Sequence, residues 1–251
     1  MALIPGGQST RKTEAPHVRF ADYRLVFRDR AFMAFVITAS LGYSSLTWLL
    51  GSALLLYMRD ALTLPPGVIM SITAAGSLGI FLTIASWGRY ADYAGSANAM
   101  FWSMIGHAVC ALACIALVPG AAATSYALWG VFIVASVFNA AFNVAANRAM
   151  LGYVCSHRRV VYTNLWSIGT SLAIGLTPIA AGYLIDHFHR SGFYACFILT
   201  ALSGIACGFM SRVYVREAAR RPDLRKAEEL VPAIESPVAP ATEANTTRLA
   251  S

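Results

Sequence analysis

The chain has 251 residues, of which 57% are hydrophobic and 12% charged, and a formal net charge of +7. Its mean hydropathy is +0.59. Soluble domains carry about 25% charged and about 45–50% apolar residues, so an ordinary soluble enzyme and a disordered chain are excluded; five cysteines are too few for a disulfide-stapled scaffold. What remains is an all-α, polytopic membrane protein. A crossing helix needs about 20 apolar residues for a hydrocarbon core of about 30 Å, so six spans fill this length and twelve do not fit.

Residues 1–18 carry Pro, Gly, Ser and Thr without periodicity, which predicts a disordered tail. Over 19–31, Phe20, Tyr23, Phe27 and Ala31 recur at helical spacing among Arg and Asp, which predicts an amphipathic lead-in helix lying in the membrane interface. Six apolar runs follow: Phe32–Met58, Val68–Trp87, Ala99–Val118, Tyr126–Ala146, Tyr162–Ile185 and Phe193–Tyr214. None has a charged residue in its central turns. The breaks are Pro65-Pro66-Gly67, Gly88 to Asn98, Pro119-Gly120, Asn147 to Arg159 and Asp186 to Gly192. The runs do not alternate, unlike the strands of about 10 residues that build membrane barrels. The first run begins too late and is too long for a cleavable signal. Residues 212–230 are rich in Arg, Glu and Ala and read as a helical extension of the last span. The region 216–251 is otherwise a largely disordered tail, Pro-, Ala-, Thr- and Glu-rich from Val231. The transmembrane unit is thus 19–215.

Of the 19 Lys and Arg residues, all but Arg59 and Arg190 fall in the two tails and the second and fourth loops. Lys and Arg concentrate on the cytoplasmic side of membrane proteins. Both termini are therefore expected in the cytoplasm, and a bacterial inner membrane is the expected location. Basic charge held there answers to anionic lipid headgroups, and a nucleic-acid partner is not expected.

The end of the second run reads Gly88-Arg89-Tyr90-Ala91-Asp92, and the end of the fifth reads Gly182-Tyr183-Leu184-Ile185-Asp186. Both are G-x-x-x-D closing the second helix of a set of three. Three is odd, so the two copies face opposite sides of the membrane. That is the pattern of two inverted three-helix repeats, a common transporter plan.

Polar residues inside the spans must face protein or water. In the fourth run Asn139, Asn143 and Asn147 share one face at a spacing of four, with Arg148 beside the last. They read either as a polar stripe contacting a solute or as inter-helix hydrogen bonds worth about 0.6 kcal/mol each. In the first run Tyr43, Ser44, Ser45, Thr47 and Trp48 lie near the middle, and Tyr43 and Thr47 are one turn apart. Their alternative is hydroxyls bonded back to their own helix. Ser71, Ala75, Gly79 and Thr83 form a small-residue seam along the second run. Pro178, with Gly175 and Gly182, marks a bendable stretch of the fifth. His107 reads as a neutral, hydrogen-bonded histidine, and Cys110 and Cys114 as small apolar packing. Asp186, His187 and His189 offer only two imidazoles at an interface, so no metal site is expected, and no cofactor motif is present. With no carboxylate in mid-membrane, this chain is not expected to hold a proton-coupling site.

The stretch WGRYADYAGS, Trp87 to Ser96, resembles the loop signature of the major facilitator superfamily, roughly G-x-x-x-D-R/K-x-G-R/K. Gly88, Asp92 and Gly95 match, and Tyr93 and Ser96 stand at the two basic positions. The lead-in ending FRDRAF and the segment HRRVVYTNLWSIGTSLAIGLTPIAAGYLID also resemble the family, the latter its C-terminal half. The resemblance covers about residues 20–215, one six-helix half of a twelve-span fold. It implies a gating role for Gly88, Arg89, Asp92 and Gly95. Gly88 would allow close helix packing. Asp92, near the start of the third span, would be favoured by that helix's dipole and pair with Arg89 or a basic residue elsewhere on its face. Gly95 would permit the turn. The resemblance also makes the first and fourth spans cavity-lining, so Tyr43, Thr47, Asn139 and Asn143 are the candidate substrate-binding residues. It implies a half-transporter of a small solute, working by alternating access with a second six-helix bundle: a second copy or a separate first half. The alternatives are a non-transporting membrane scaffold or assembly factor of the same fold and a truncated, inactive remnant. None of these is an enzyme.

Overall fold

The computed structural model describes residues 20–117, 122–154 and 159–215. The two tails lie outside the described residues, as does any helical extension of the last span beyond Val215. Among the described residues the secondary structure is helical throughout. A short helix, α1 (Phe20–Arg28), is followed by six long apolar ones: α2 (Arg30–Ala61), α3 (Pro66–Ala94), α4 (Ser96–Ile115), α5 (Ala122–Tyr153), α6 (Arg159–Phe188) and α7 (Arg190–Val215). Each is long and apolar enough to cross a membrane.

The helices overrun the apolar runs because hydropathy falls where charge begins, whereas the backbone needs only its i−4 carbonyls to continue. Three expected breaks shrink accordingly. The stretch Gly88 to Asn98 is helical except at Gly95, Asn147 to Tyr153 completes α5, and Asp186 to Phe188 completes α6. At the start, Asp29 ends the lead-in and caps α2, its side chain accepting from the Phe32 N–H at 3.3 Å. Within the lead-in Val26 is buried, Tyr23 packs against the core beside it, and Phe27 is 55% exposed. Helix α2 contains two π-type turns, Thr47–Ala53 and Tyr57–Ala61. Pro178 sits within α6 without ending it.

The helices form two layers. In the front layer α2 and α5 touch at the centre, with α6 beside α2 and α3 beside α5; α4 and α7 pack together behind. Exchanging the first three long helices with the last three maps these main neighbours onto one another. The α3–α5 contact becomes α6–α2, α4–α5 becomes α7–α2, α3–α4 becomes α6–α7, and α4–α7 maps onto itself. The inverted three-helix repeat is therefore visible in the packing. The seam of α3 faces α5: a Cβ at Gly79 would stand 3.3 Å from Ile133, and one at Gly76 would stand 2.6 Å from Ser136 Oγ. Ser71 lies off this seam, exposed and bonded to the Gly67 carbonyl.

Two apolar clusters hold the bundle, one toward each end. In one, Phe35 is stacked with Tyr153 at 4.6 Å and with Trp166 at 5.0 Å, which ties α2 to α5 and α6. In the other, Tyr57 packs edge-on against Phe193 and Phe197 and donates to the Leu117 carbonyl at 2.7 Å. Buried aromatic pairs of this kind add about 0.5–1.5 kcal/mol beyond their area.

Candidate functional site

The central face of the front layer is polar and uncharged. Every charged residue of the six long helices lies within two turns of a helix end. Tyr43 is half-buried, edge-on to Phe142 at 5.3 Å and Trp166 at 6.0 Å. Thr47 donates back to the Tyr43 carbonyl at 2.8 Å. Asn143 Nδ2 donates to Asn139 Oδ1 at 2.7 Å and to the Asn139 carbonyl at 2.8 Å, and Asn147 repeats the backbone bond to Asn143. The asparagine stripe is thus a chain along one helix, and among the described residues it makes no hydrogen bond to Tyr43 or Thr47. Asn139 Nδ2 and Asn143 Oδ1 are left without a hydrogen-bond partner among the described residues. Inter-helix bonds form from neighbouring residues of α2: Ser44 and Thr177 lie 2.8 Å apart, linking α2 to α6. Ser45 reaches the Thr200 carbonyl at 2.9 Å. His107 is fully buried, with Nε2 3.4 Å from the Ser45 carbonyl and Nδ1 unpartnered. Cys110 and Cys114 are buried thiols.

One end of the bundle gathers the basic residues. There Asp92 forms an ion pair with Arg148. The loop signature on α3 is thereby joined to the end of α5, the neighbour it also packs against. Arg89, beside Asp92 in sequence, is not the partner. Asp92 occupies the last turn of α3 rather than the start of α4. The partial negative charge of its own helix end disfavours a carboxylate there, and Arg148 offsets it. Gly88 does not serve close packing within the described residues: a Cβ there would meet nothing within 4 Å. Gly95 does make the turn, at φ 86° and ψ 152°, a region that only glycine occupies without strain. On the same end, Arg212 lies 3.7 Å over the Phe101 ring.

A cleft of about 480 Å³ lies between the ends of α2 and α6 and the start of α7, lined by Asp60, Ala61, Ile185, Asp186, His189 and Arg190. Arg59 Nε donates to the adjacent Asp60 at 2.6 Å, with both side chains largely exposed. The His187 ring lies parallel to Tyr183 at 5.9 Å, and no group of three metal-ligating side chains occurs among the described residues.

A six-span helical bundle with repeat symmetry, an uncharged polar central face and an ion pair at one end fits a transporter-type membrane protein. The family model of the Major Facilitator Superfamily matches residues 36–249. The chain belongs to that superfamily of membrane transporters. No curated protein and no solved structure matches it significantly.

Proposed function

We propose that the chain moves a small, uncharged solute as one wall of a paired-bundle transporter, by alternating access against a second six-helix bundle. The observation that carries this reading is the central face of α2 and α5, polar yet free of charge along its middle turns. A carboxylate or ammonium entering such a site would leave water without a counter-ion, which is costly. A neutral solute rich in hydroxyls or amides would find hydrogen-bonding groups at Tyr43, Thr47, Asn139 and Asn143. The free Asn139 donor and Asn143 acceptor are the groups best placed to change partner. Helices α3 and α6 flank this face and leave large apolar surfaces, with Phe81 76% and Ile179 69% exposed. These surfaces are suited to lipid on the outer side and to a second bundle, whether another copy or a separate first half, on the inner side. The basic end, by its charge, faces the cytoplasm, and a bacterial inner membrane is the location that fits.

The test is uptake of a radiolabelled hexose, a pentitol and a nucleoside into vesicles carrying the full chain, with Asn143→Leu beside it. Uptake of one of them that falls at least tenfold in the variant supports the reading. Equal uptake by both proteins and by empty vesicles for all three overturns it. The native mass, taken after gentle extraction, is expected to be that of two six-helix units.

A second reading is favoured by one observation. The hydrogen bonds that the asparagines make run along their own helix, as in a structural span. Under it the chain is a non-transporting scaffold of the same fold, and Asn143→Leu leaves partner binding intact.

A further inference from the structure

Arg212 stands on the back layer of the bundle, where α4 and α7 pack together behind the polar central face. Its neighbour Ser211 donates from Oγ to the Ala97 carbonyl at 3.2 Å, which fastens the end of α7 to the first turn of α4. The crossing is close there: a Cβ at Gly208 would stand 3.5 Å from the Phe101 carbonyl oxygen. The last turn of α7, Ser211–Val215, is wound as a π-type turn, a form that recurs at functional sites. The guanidinium carbon of Arg212 thereby lies 3.7 Å from the centre of the Phe101 ring and 6.0 Å from that of Trp102. Its Nε is buried without a hydrogen-bond partner, and Arg212 forms no ion pair with any described residue. An arginine does not lose its charge to escape such a place, and an unpaired charge beside hydrocarbon is costly. The position calls for an anion.

The start of α4 adds positive charge at the same place. Gly95 gives it no side-chain cap, and its first turn holds no acidic residue. The first N–H groups of a helix have no intrahelical acceptor, and such an end attracts anions. The carboxylate nearest in sequence, Asp92, is already taken by Arg148. Around the guanidinium the surface is apolar, with Trp102, Phe209 and Val213 exposed. The Phe209 ring packs edge-on to Phe101 at 5.6 Å. Trp102 lies less than two turns into α4, the depth at which tryptophans sit at a membrane–water boundary. A site of this kind offers rings to acyl chains and a cation to a headgroup.

We propose that Arg212 holds the phosphate of an anionic phospholipid on the back layer, with the N-terminus of α4 as a supporting donor and the acyl chains along Trp102 and Phe209. A guanidinium presents a planar fork of N–H donors that matches two phosphate oxygens, and the Phe101 ring beneath it fixes the plane of that fork. The site lies behind the polar central face, so a second six-helix bundle docked on the front leaves it open to lipid. The inference stands apart from the transport reading.

The test uses Trp102 as the reporter. The full chain is reconstituted in phosphatidylcholine vesicles with a rising share of phosphatidylglycerol brominated in its acyl chains, and quenching of tryptophan fluorescence is read. The part due to Trp102 is the difference from Trp102→Phe, and brominated phosphatidylcholine gives the reference. At Trp102 the anionic lipid is expected to be preferred about fivefold, the factor that one basic residue supplies at an anionic surface. Arg212→Gln is expected to bring the preference down to about one. Arg212→Lys, which keeps the charge and loses the fork, is expected to lower it in part. Arg89→Gln removes one charge from the same end and is expected to leave it unchanged. No preference in the parent chain overturns the site. So does a preference intact in Arg212→Gln or, should that variant not fold, in Arg212→Lys. An equal fall in Arg89→Gln overturns it as well, because general surface charge then accounts for the effect. Inorganic phosphate that displaces the brominated lipid as effectively as unbrominated phosphatidylglycerol does would assign the site to a soluble anion and overturn the lipid.

Discussion

The two ends of the bundle repeat one turn with different side chains. At the basic end the unusual backbone falls on Gly95 and the position six residues after the aspartate is Asn98, whose amide bonds the Ala94 carbonyl at 2.8 Å. At the opposite end the unusual backbone falls on His189, and the position six after the aspartate is Gly192, pressed against α6. The basic end has room for a side chain after the turn and none of the strain within it; the opposite end has the reverse. The same topology can therefore be reached by two allocations of glycine. Each end commits its glycine where the backbone at that end is least forgiving.

The largest test of this comparison is Gly192→Ala. A Cβ there would stand 2.4 Å from the Leu184 carbonyl oxygen and 2.8 Å from Ile185 Cα, both main-chain atoms of a long helix. Main chain cannot rotate aside as a side chain would, so the turn must open. Overpacking of this kind costs about 1–3 kcal/mol. Thermal unfolding in detergent should show a clear drop for Gly192→Ala. Its counterpart Asn98→Ala should change little, within about 0.5 kcal/mol, as surface substitutions do. Equal effects at the two positions would break the comparison.

Next in size is Gly95→Ala. Space is not the obstacle, since a Cβ at Gly95 meets nothing within 4 Å; the φ of 86° is. Holding a non-glycine residue in that region costs about 1–3 kcal/mol. Gly88→Ala, one helix position with equally open surroundings and ordinary φ, should instead gain about 0.5–1 kcal/mol. Opposite signs in the melting temperatures of these two variants would separate the conformational role of Gly95 from a packing role for both.

How much of this was legible in the sequence follows the range of the interactions. The six spans and the three-helix repeat were legible, because hydropathy and a G-x-x-x-D spacing are local. The all-α class needed nothing further. Asp92 and Gly95 were legible as a pair of special positions for the same reason. The partner of Asp92 was not: Arg148 is 56 positions away in sequence, and only the packing of α3 on α5 brings it near. The asparagine stripe was legible as a stripe. Its orientation toward its own backbone was not, since a spacing of four serves an intrahelical bond and a shared outer face equally well. The link between Ser44 and Thr177 depends on which helices are neighbours, and no local pattern carries that. Gly192 looked like a loop residue because hydropathy placed a loop there. Its role appears only once α6 is seen to run on to Phe188 and leave a turn of one residue.

A smaller effect distinguishes the two charge sets. Arg148 and Asp92 are paired but 45% and 63% exposed, so their coupling should be about 0.2–1 kcal/mol and fade as salt rises. A double-mutant cycle of Asp92→Asn and Arg148→Gln, read by thermal unfolding at low and high salt, should return that coupling. The same cycle on Asp186→Asn and Arg59→Gln should return almost none in this state, because Arg59 bonds Asp60 instead. A coupling of equal size at both ends would break the comparison.

The last test is His189→Gly, whose effect is a difference of two opposing contributions and whose sign is informative. His189 holds φ 50° and ψ −122°, outside the regions favoured by residues with a Cβ. Relief of that strain stabilises the folded chain by about 1–3 kcal/mol. Against it, glycine gives the unfolded chain more freedom, at about 0.5–1 kcal/mol. The net is a rise in stability of up to about 2.5 kcal/mol, smaller if the turn relaxes around the imidazole. A higher melting temperature would show that the turn carries strain that glycine relieves. A lower one would show that the freedom glycine gives the unfolded chain outweighs that relief.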